Sequence, residues 1–157
     1  MHAFQTILFC TDFSEHADFA FDFALGLAAQ TPGAELHVLH VLPEPAAQFW
    51  RGYVREVDDI DDRTRAEIDA CFASLQERAG GARCFAGREP CVPRACVRVG
   101  KPGEEIVAHA KSCGADLILL GRRVHGSIFS GKTAAHVARH ATCPVLVVPL
   151  DFKGRRA

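Results

Sequence analysis

Five short apolar runs punctuate the chain, with stretches of helical periodicity between them. Residues 4–10, FQTILFC, are rich in β-formers and stop at Thr11-Asp12, the pattern of a strand buried on both faces. Ser14, a fair N-cap, opens a helical pattern that runs to about Gln30, with Phe13, Ala17, Ala20, Phe21, Ala24, Leu25 and Ala28 on one stripe. Pro32-Gly33 then turns the chain into a second strand over residues 35–42, ELHVLHVL, closed by Pro43 and Pro45. After an irregular stretch over 46–54, a charged helix is predicted over 55–79, with Ile60, Thr64, Ile68, Cys71, Phe72 and Leu75 facing inward. The glycine- and proline-bearing residues 80–93 read as a loop. A third strand over 94–99 is followed by Gly100-Lys101-Pro102-Gly103, which turns into a helix over 103–113 with Ile106, Val107 and Ala110 inward. Residues 116–121, DLILLG, apolar after Asp116, are a fourth strand, 121–131 a glycine-rich loop, the next stretch a helix to about Ala141, and 144–149 the last strand.

Apolar strands that alternate with helices predict a single α/β domain with a doubly wound parallel sheet. Ligands of such sheets sit outside the carboxyl ends of the strands, near the switch point of the strand order. Here those ends are residues 10–14, 41–43, 100–103 and 121–131.

Composition narrows the function classes. A chain of 157 residues is the usual size of one domain. A formal net charge of −1 gives no broad basic field, so nucleic acid is not an expected partner. The basic residues Lys153, Arg155 and Arg156 belong to a C-terminal tail over 151–157, which reads as solvated. No apolar run approaches the ~18 residues that span a bilayer, and the opening MHAFQTILFCTDF lacks a basic start and carries Asp12 early. The expected location is therefore the cytoplasm, with no membrane contact. The seven cysteines (10, 71, 84, 91, 96, 113 and 143) include no CxxC pair, and most read as free thiols, with a redox pair among the loop cysteines Cys84, Cys91 and Cys96 as the alternative. His136, His140 and Cys143 share a helical spacing, but nothing nearby completes a ligand set, and no metal site is assigned.

The candidate chemistry gathers at the carboxyl ends of the strands. Residues 126–133, GSIFSGKT, satisfy the spacing G-x4-G-K-[ST]. Its glycines let backbone N–H groups converge on a phosphate, Lys132 adds charge, and a helix N-terminus follows. Only one strand comes after it, so a P-loop NTPase sheet does not fit, whereas an anion site built with Arg122, Arg123 and Lys132 does. Asp12 could hold a ligand or cap the first helix. His40 alternates with Val38 and Leu42 and reads as a hydrogen-bonded core histidine. Glu104 and Glu105 suit the first turn of a helix without a catalytic role. No nucleophile elbow is visible, and no catalytic residue is assigned.

Three stretches together resemble the universal stress protein family: ILFCTDFSEHADFAFDFA, VRVGKPGEEIVAHAKSCGADLILLG and GKTAAHVARHATCPVLVVP. The resemblance implies a domain over residues 1–150 with a five-stranded parallel sheet in strand order 3-2-1-4-5. It also implies a homodimer joined through the last strand, from Pro144 to Pro149. By resemblance, the ligand is ATP or another adenine nucleotide, with or without Mg²⁺. Thr11 and Asp12 would lie on the ribose and Val41 would present backbone groups to the adenine. Gly121, Arg122, Gly126, Gly131, Lys132 and Thr133 would surround the phosphates.

The family's binding form spaces its glycines G-x2-G-x9-G before Ser or Thr. Here the loop is three residues shorter, Gly126 is displaced, and Lys132 stands where a small hydroxyl residue is usual. Two further expectations follow: a nucleotide-free protein that acts through an unknown protein partner, and a slow Mg²⁺-dependent ATP hydrolase that uses Lys132.

Overall fold

Strands and helices alternate from one end of the chain to the other: β1 (Thr6–Cys10), α1 (Glu15–Gln30), β2 (Glu35–Pro43), α2 (Asp62–Gly81), β3 (Arg94–Gly100), α3 (Pro102–Cys113), β4 (Leu117–Arg122), α4 (Gly131–His140) and β5 (Val145–Pro149). The computed structural model describes residues 3–13, 15–43, 62–81, 92–122 and 131–149, and of residues 15–17, 62, 64, 80–81 and 122 the backbone alone. All pairings are parallel, and the strand order is β3-β2-β1-β4-β5, as the resemblance implied.

Period-two alternation along each strand divides the core into two layers. Ile7 and Phe9 of β1, Leu36 and Val38 of β2, and Leu117 and Leu119 of β4 face α1 and α2, where they meet Phe21, Ala24, Ile68, Phe72 and Leu75. Leu8 and Cys10, Leu39 and Val41, and Ile118 and Leu120 face α3 and α4, where they meet Ile106, Val107, Ala110 and Val137. Each large side chain buried here contributes about 1.5–3 kcal/mol of transfer free energy. The three central strands are buried on both faces, which explains why they read as unbroken apolar runs.

Element boundaries move for identifiable reasons. The first strand begins at Thr6 rather than Phe4, because the Asp116 carboxylate accepts the N–H groups of Gln5 (2.8 Å) and Thr6 (3.2 Å). The Asp116 N–H in turn donates to the Thr6 carbonyl at 2.9 Å, which ties the start of β4 to the start of β1. The second helix is described from Asp62; residues 55–61, Ile60 among them, lie outside the described residues, as does the cap position Ser14. Phe13 differs in kind. The apolar spacing places it on the stripe of the first helix, but it precedes that helix with φ 58°, in the left-handed region. α3 ends as its sequence suggests: Gly114 adopts φ 67° and the Ala115 N–H closes on the Ala110 carbonyl at 2.9 Å. Among the described residues no helix is long and apolar enough to cross a membrane.

Candidate functional site

β1 is the centre of the sheet. From it the chain moves outward to β2 and β3, then returns to the other side for β4 and β5. The switch point therefore lies between β1 and β4, and the crevice outside it is where an open α/β sheet takes its ligand. The register pairs Cys10 with Leu39 on one side and with Leu120 on the other. Thr11–Asp12, Val41 and Gly121 thus leave the sheet at the same end, on three adjacent strands.

The turn after β1 is held from beneath. Thr11 is 1% exposed. Its N–H donates to the Leu39 carbonyl at 2.9 Å, and its Oγ1 accepts the Phe13 N–H at 2.9 Å. Its carbonyl accepts from Nδ1 of His40 at 2.9 Å. His40 is accordingly the buried, hydrogen-bonded histidine that the alternation of β2 predicts. Burial pushes its pKa below 6.5, and the Thr11 carbonyl and the Asp12 charge oppose that shift only in part. The Phe13 ring lies 4.4 Å from the His40 ring, tilted by 34°, and meets Phe72 of α2 edge-on at 5.2 Å. A left-handed non-glycine residue locked in this way is the kind of strain that gathers at ligand sites. Its result is a fixed backbone path through Asp12, which is half-buried.

The other predicted residues fall at the same end of the sheet. Val41 is fully buried, so only its backbone could meet a ligand. Gly121 is half-buried at the penultimate position of β4, and Arg122 ends that strand. Gly131 and Lys132 open α4 and are exposed, while Thr133 is buried. No acidic residue occupies the first turn of α4, so the positive end of the helix is not neutralised from within. Among the described residues, a Cβ on Gly131 would meet nothing within 4 Å. Gly126 and Arg123 lie outside the described residues. Near the same end, Gly100 has φ 151°, and a Cβ there would stand 2.8 Å from Glu105 Oε1. Glu105 is in turn held by Nε of Arg98 at 2.7 Å.

Sequence reasoning missed a second group of residues. His37 of β2 and His109 and Cys113 of α3 place three ligand-type atoms within 4.8 Å of one another. The i, i+4 spacing of His109 and Cys113 was the only local signal available. The triad that the spacing of α4 suggested behaves differently: the His136 and His140 rings stack at 4.2 Å, and Nδ1 of His140 bonds the His136 carbonyl at 2.9 Å. The cysteines 10, 71, 96, 113 and 143 are free, as expected, and burial raises the pKa of each.

The geometry defines a doubly wound α/β domain whose β1/β4 switch point is flanked by a hydrogen-bonded turn with a left-handed residue. The chain belongs to the universal stress protein family, whose model matches residues 3–149. It is 35% identical over 150 residues to a universal stress protein of Thermus aquaticus, covering 92% of this chain and 98% of the relative. It is 30% identical over 150 residues to the universal stress protein YxiE of Bacillus subtilis, covering 92% and 99%. A universal stress protein solved in complex with cAMP has the same fold, with a TM-score of 0.68, 25% identity and coverage of 94% and 98%. One from Archaeoglobus fulgidus, solved in complex with dAMP, superimposes with a TM-score of 0.65 at 20% identity, covering 94% and 99%.

Proposed function

We propose that this chain is a cytoplasmic stress-response module that binds an adenine nucleotide at the carboxyl ends of β1, β2 and β4. Asp12, with Thr11 beside it, meets the ribose. The backbone at Val41 meets the adenine. Gly121, Arg122, Gly126, Gly131, Lys132 and Thr133 surround the phosphates, with Mg²⁺ where the nucleotide carries a polyphosphate. Two copies join along the last strand.

The observation that carries this reading is the buried turn from Thr11 to Phe13. It fixes Asp12 at the switch point, at the end of the sheet where α4 begins with an exposed Gly131-Lys132. The cAMP complex of a relative with the same fold supports the ligand class. Binding fits the residues better than turnover does. Thr11 Oγ1 is engaged by Phe13, and His40 Nδ1 by Thr11, so both serve the turn.

Thermal unfolding with ATP, ADP, AMP and cAMP, each with and without Mg²⁺, tests the proposal. Ligand at about 100 times Kd adds ~2.7 kcal/mol of stability, a rise of several degrees for a chain of this size. Asp12→Ala and Gly131→Val should each abolish the rise. The second variant is informative because a Cβ on Gly131 meets nothing among the described residues; an unchanged melting temperature without ligand would show that the lost response reports on the nucleotide rather than on the fold. The loop that is three residues shorter than the family pattern favours the nucleotide-free alternative. No rise with any nucleotide would establish that alternative and direct attention to protein partners.

A further inference from the structure

At the opposite end of the sheet from the nucleotide crevice, α3 brings His109 and Cys113 over the amino-terminal part of β2. His37 lies on the face of β2 that also carries Leu39 and Val41, the layer covered by α3 and α4. The helix runs antiparallel to the strands, so its last turn reaches the level of His37. One ligand atom from each of the three side chains lies within 4.8 Å of the others.

Two imidazoles and a thiol are the donor set of a borderline-soft divalent ion, zinc above all. A tetrahedral ion with bonds of about 2.0–2.3 Å holds its donor atoms roughly 3.3–3.6 Å apart. Binding would draw the three side chains from their present spacing, within 4.8 Å, to that value. The backbone is firmly set: the left-handed Gly114 closes α3 directly after Cys113, and β2 is paired on both sides.

The surroundings argue for a ligand. His109 Nε2 is the buried side-chain nitrogen or oxygen, among the described residues, that has no hydrogen-bond partner. A buried polar atom left without a partner is destabilising, and a ligand would relieve it. Its other nitrogen, Nδ1, is 3.4 Å from Nη1 of Arg98. Because the guanidinium can only donate, the ring keeps its proton on Nε2 in the metal-free protein. Nε2 of His37 is 3.2 Å from Oε2 of Glu35, and a carboxylate behind one ring nitrogen is the usual support of a metal-ligating imidazole.

We propose that His37, His109 and Cys113 form a zinc site that clamps the end of α3 to β2, with water in the fourth position. Binding releases the Cys113 thiol proton to solvent. It also moves the His109 proton from Nε2 to Nδ1, so that Arg98 gives up its long contact there and keeps Glu105. The site shares no residue with the nucleotide crevice, and the two proposals stand or fall separately.

The test uses the untagged, reduced chain, titrated with Zn²⁺ against a chromophoric chelator. One ion per chain is expected, and Cys113→Ser and His37→Asn should each weaken binding by at least about 100-fold. Glu35→Gln, which alters the support of His37, should cost about 10- to 100-fold. Co²⁺ in place of Zn²⁺ should give a thiolate charge-transfer band that Cys113→Ser removes. His140→Ala, which breaks the stacked pair on α4, should change nothing. A readout on the unaltered protein does not depend on any variant folding: one equivalent of Zn²⁺ should shield Cys113 from iodoacetamide and leave the rate at Cys71 unchanged. Sub-stoichiometric binding, an affinity unmoved by Cys113→Ser, or alkylation of Cys113 at its metal-free rate would each overturn the site.

Discussion

Phe13 carries the tension between local conformation and packing in this protein. A side chain in the left-handed region costs roughly 1–2 kcal/mol, and Phe13 sits there at φ 58°. The conformation is held by the Thr11 hydroxyl, which accepts its N–H, and by the ring contacts with His40 and Phe72. Truncation separates these terms. Phe13→Ala and Phe13→Gly both lose the ring contacts, but only glycine is free of the backbone cost. The usual order, in which alanine is the more stabilising residue, should therefore invert. Phe13→Gly should be more stable than Phe13→Ala by about 1 kcal/mol in urea denaturation. The reverse order would show that the turn does not hold this conformation in solution. The position of Asp12 just beyond a buried strand was legible in the sequence, because the apolar run stops at Thr11-Asp12. The left-handed Phe13 was not, because apolar spacing counts side chains and is blind to φ. His37, His109 and Cys113 were hidden for another reason: they meet only once the crossover from β3 through α3 has been folded back over β2.

The alternation of strands and helices was plain in the sequence, since the central strands are buried on both faces and so carry unbroken apolar runs. How closely the helices approach one another was not. Gly103 reads as part of a turn that starts a helix, a role any small residue could fill. In the fold it also lies against α4. A Cβ there would stand 2.8 Å from Cδ2 of His136, 3.0 Å from Cγ and 3.1 Å from Cβ. Replacing a helical glycine with alanine normally gains up to about 1 kcal/mol. Here Gly103→Ala should instead destabilise by about 1–3 kcal/mol, as overpacking does. The cost arises from one contact, so His136→Ala should relieve it, and a double-mutant cycle should give a coupling of at least about 1 kcal/mol. Additive effects would mean that α3 and α4 do not approach this closely. The contact also bears on the crevice, because α4 carries Gly131 and Lys132 and α3 sets its position.

At the scale of the whole molecule, the sheet has two edges that are treated differently. Natural sheets guard an edge with charge, proline or a covering element. β3 carries Arg94 and Arg98, with Arg94 at 3.2 Å from Glu35 and Arg98 engaged by Glu105. β5 reads VLVVP, with no charge along its length. Val145, Leu146 and Val147 are only half-buried. Among the described residues, an uncharged apolar edge with proline only at its ends, Pro144 and Pro149, beside a charged one favours β5 as the seam between two copies. The protein should therefore sediment as a dimer at micromolar concentration. Val147→Lys should give a folded monomer, because a charge buried in a seam is strongly opposed, whereas Arg94→Glu on the far edge should leave the dimer intact. A native protein that sediments as a monomer, or a Val147→Lys variant that stays dimeric, would rule the seam out. The topology adds a condition that links this prediction to function. The crevice opens at the carboxyl ends of β1 and β4 and not along the β5 edge, so pairing through β5 leaves it open in each copy. The Val147→Lys monomer should consequently keep the stabilisation by nucleotide that is predicted for the dimer. If stabilisation is lost together with the dimer, the second copy must complete the site, and the crevice of one chain is only part of it.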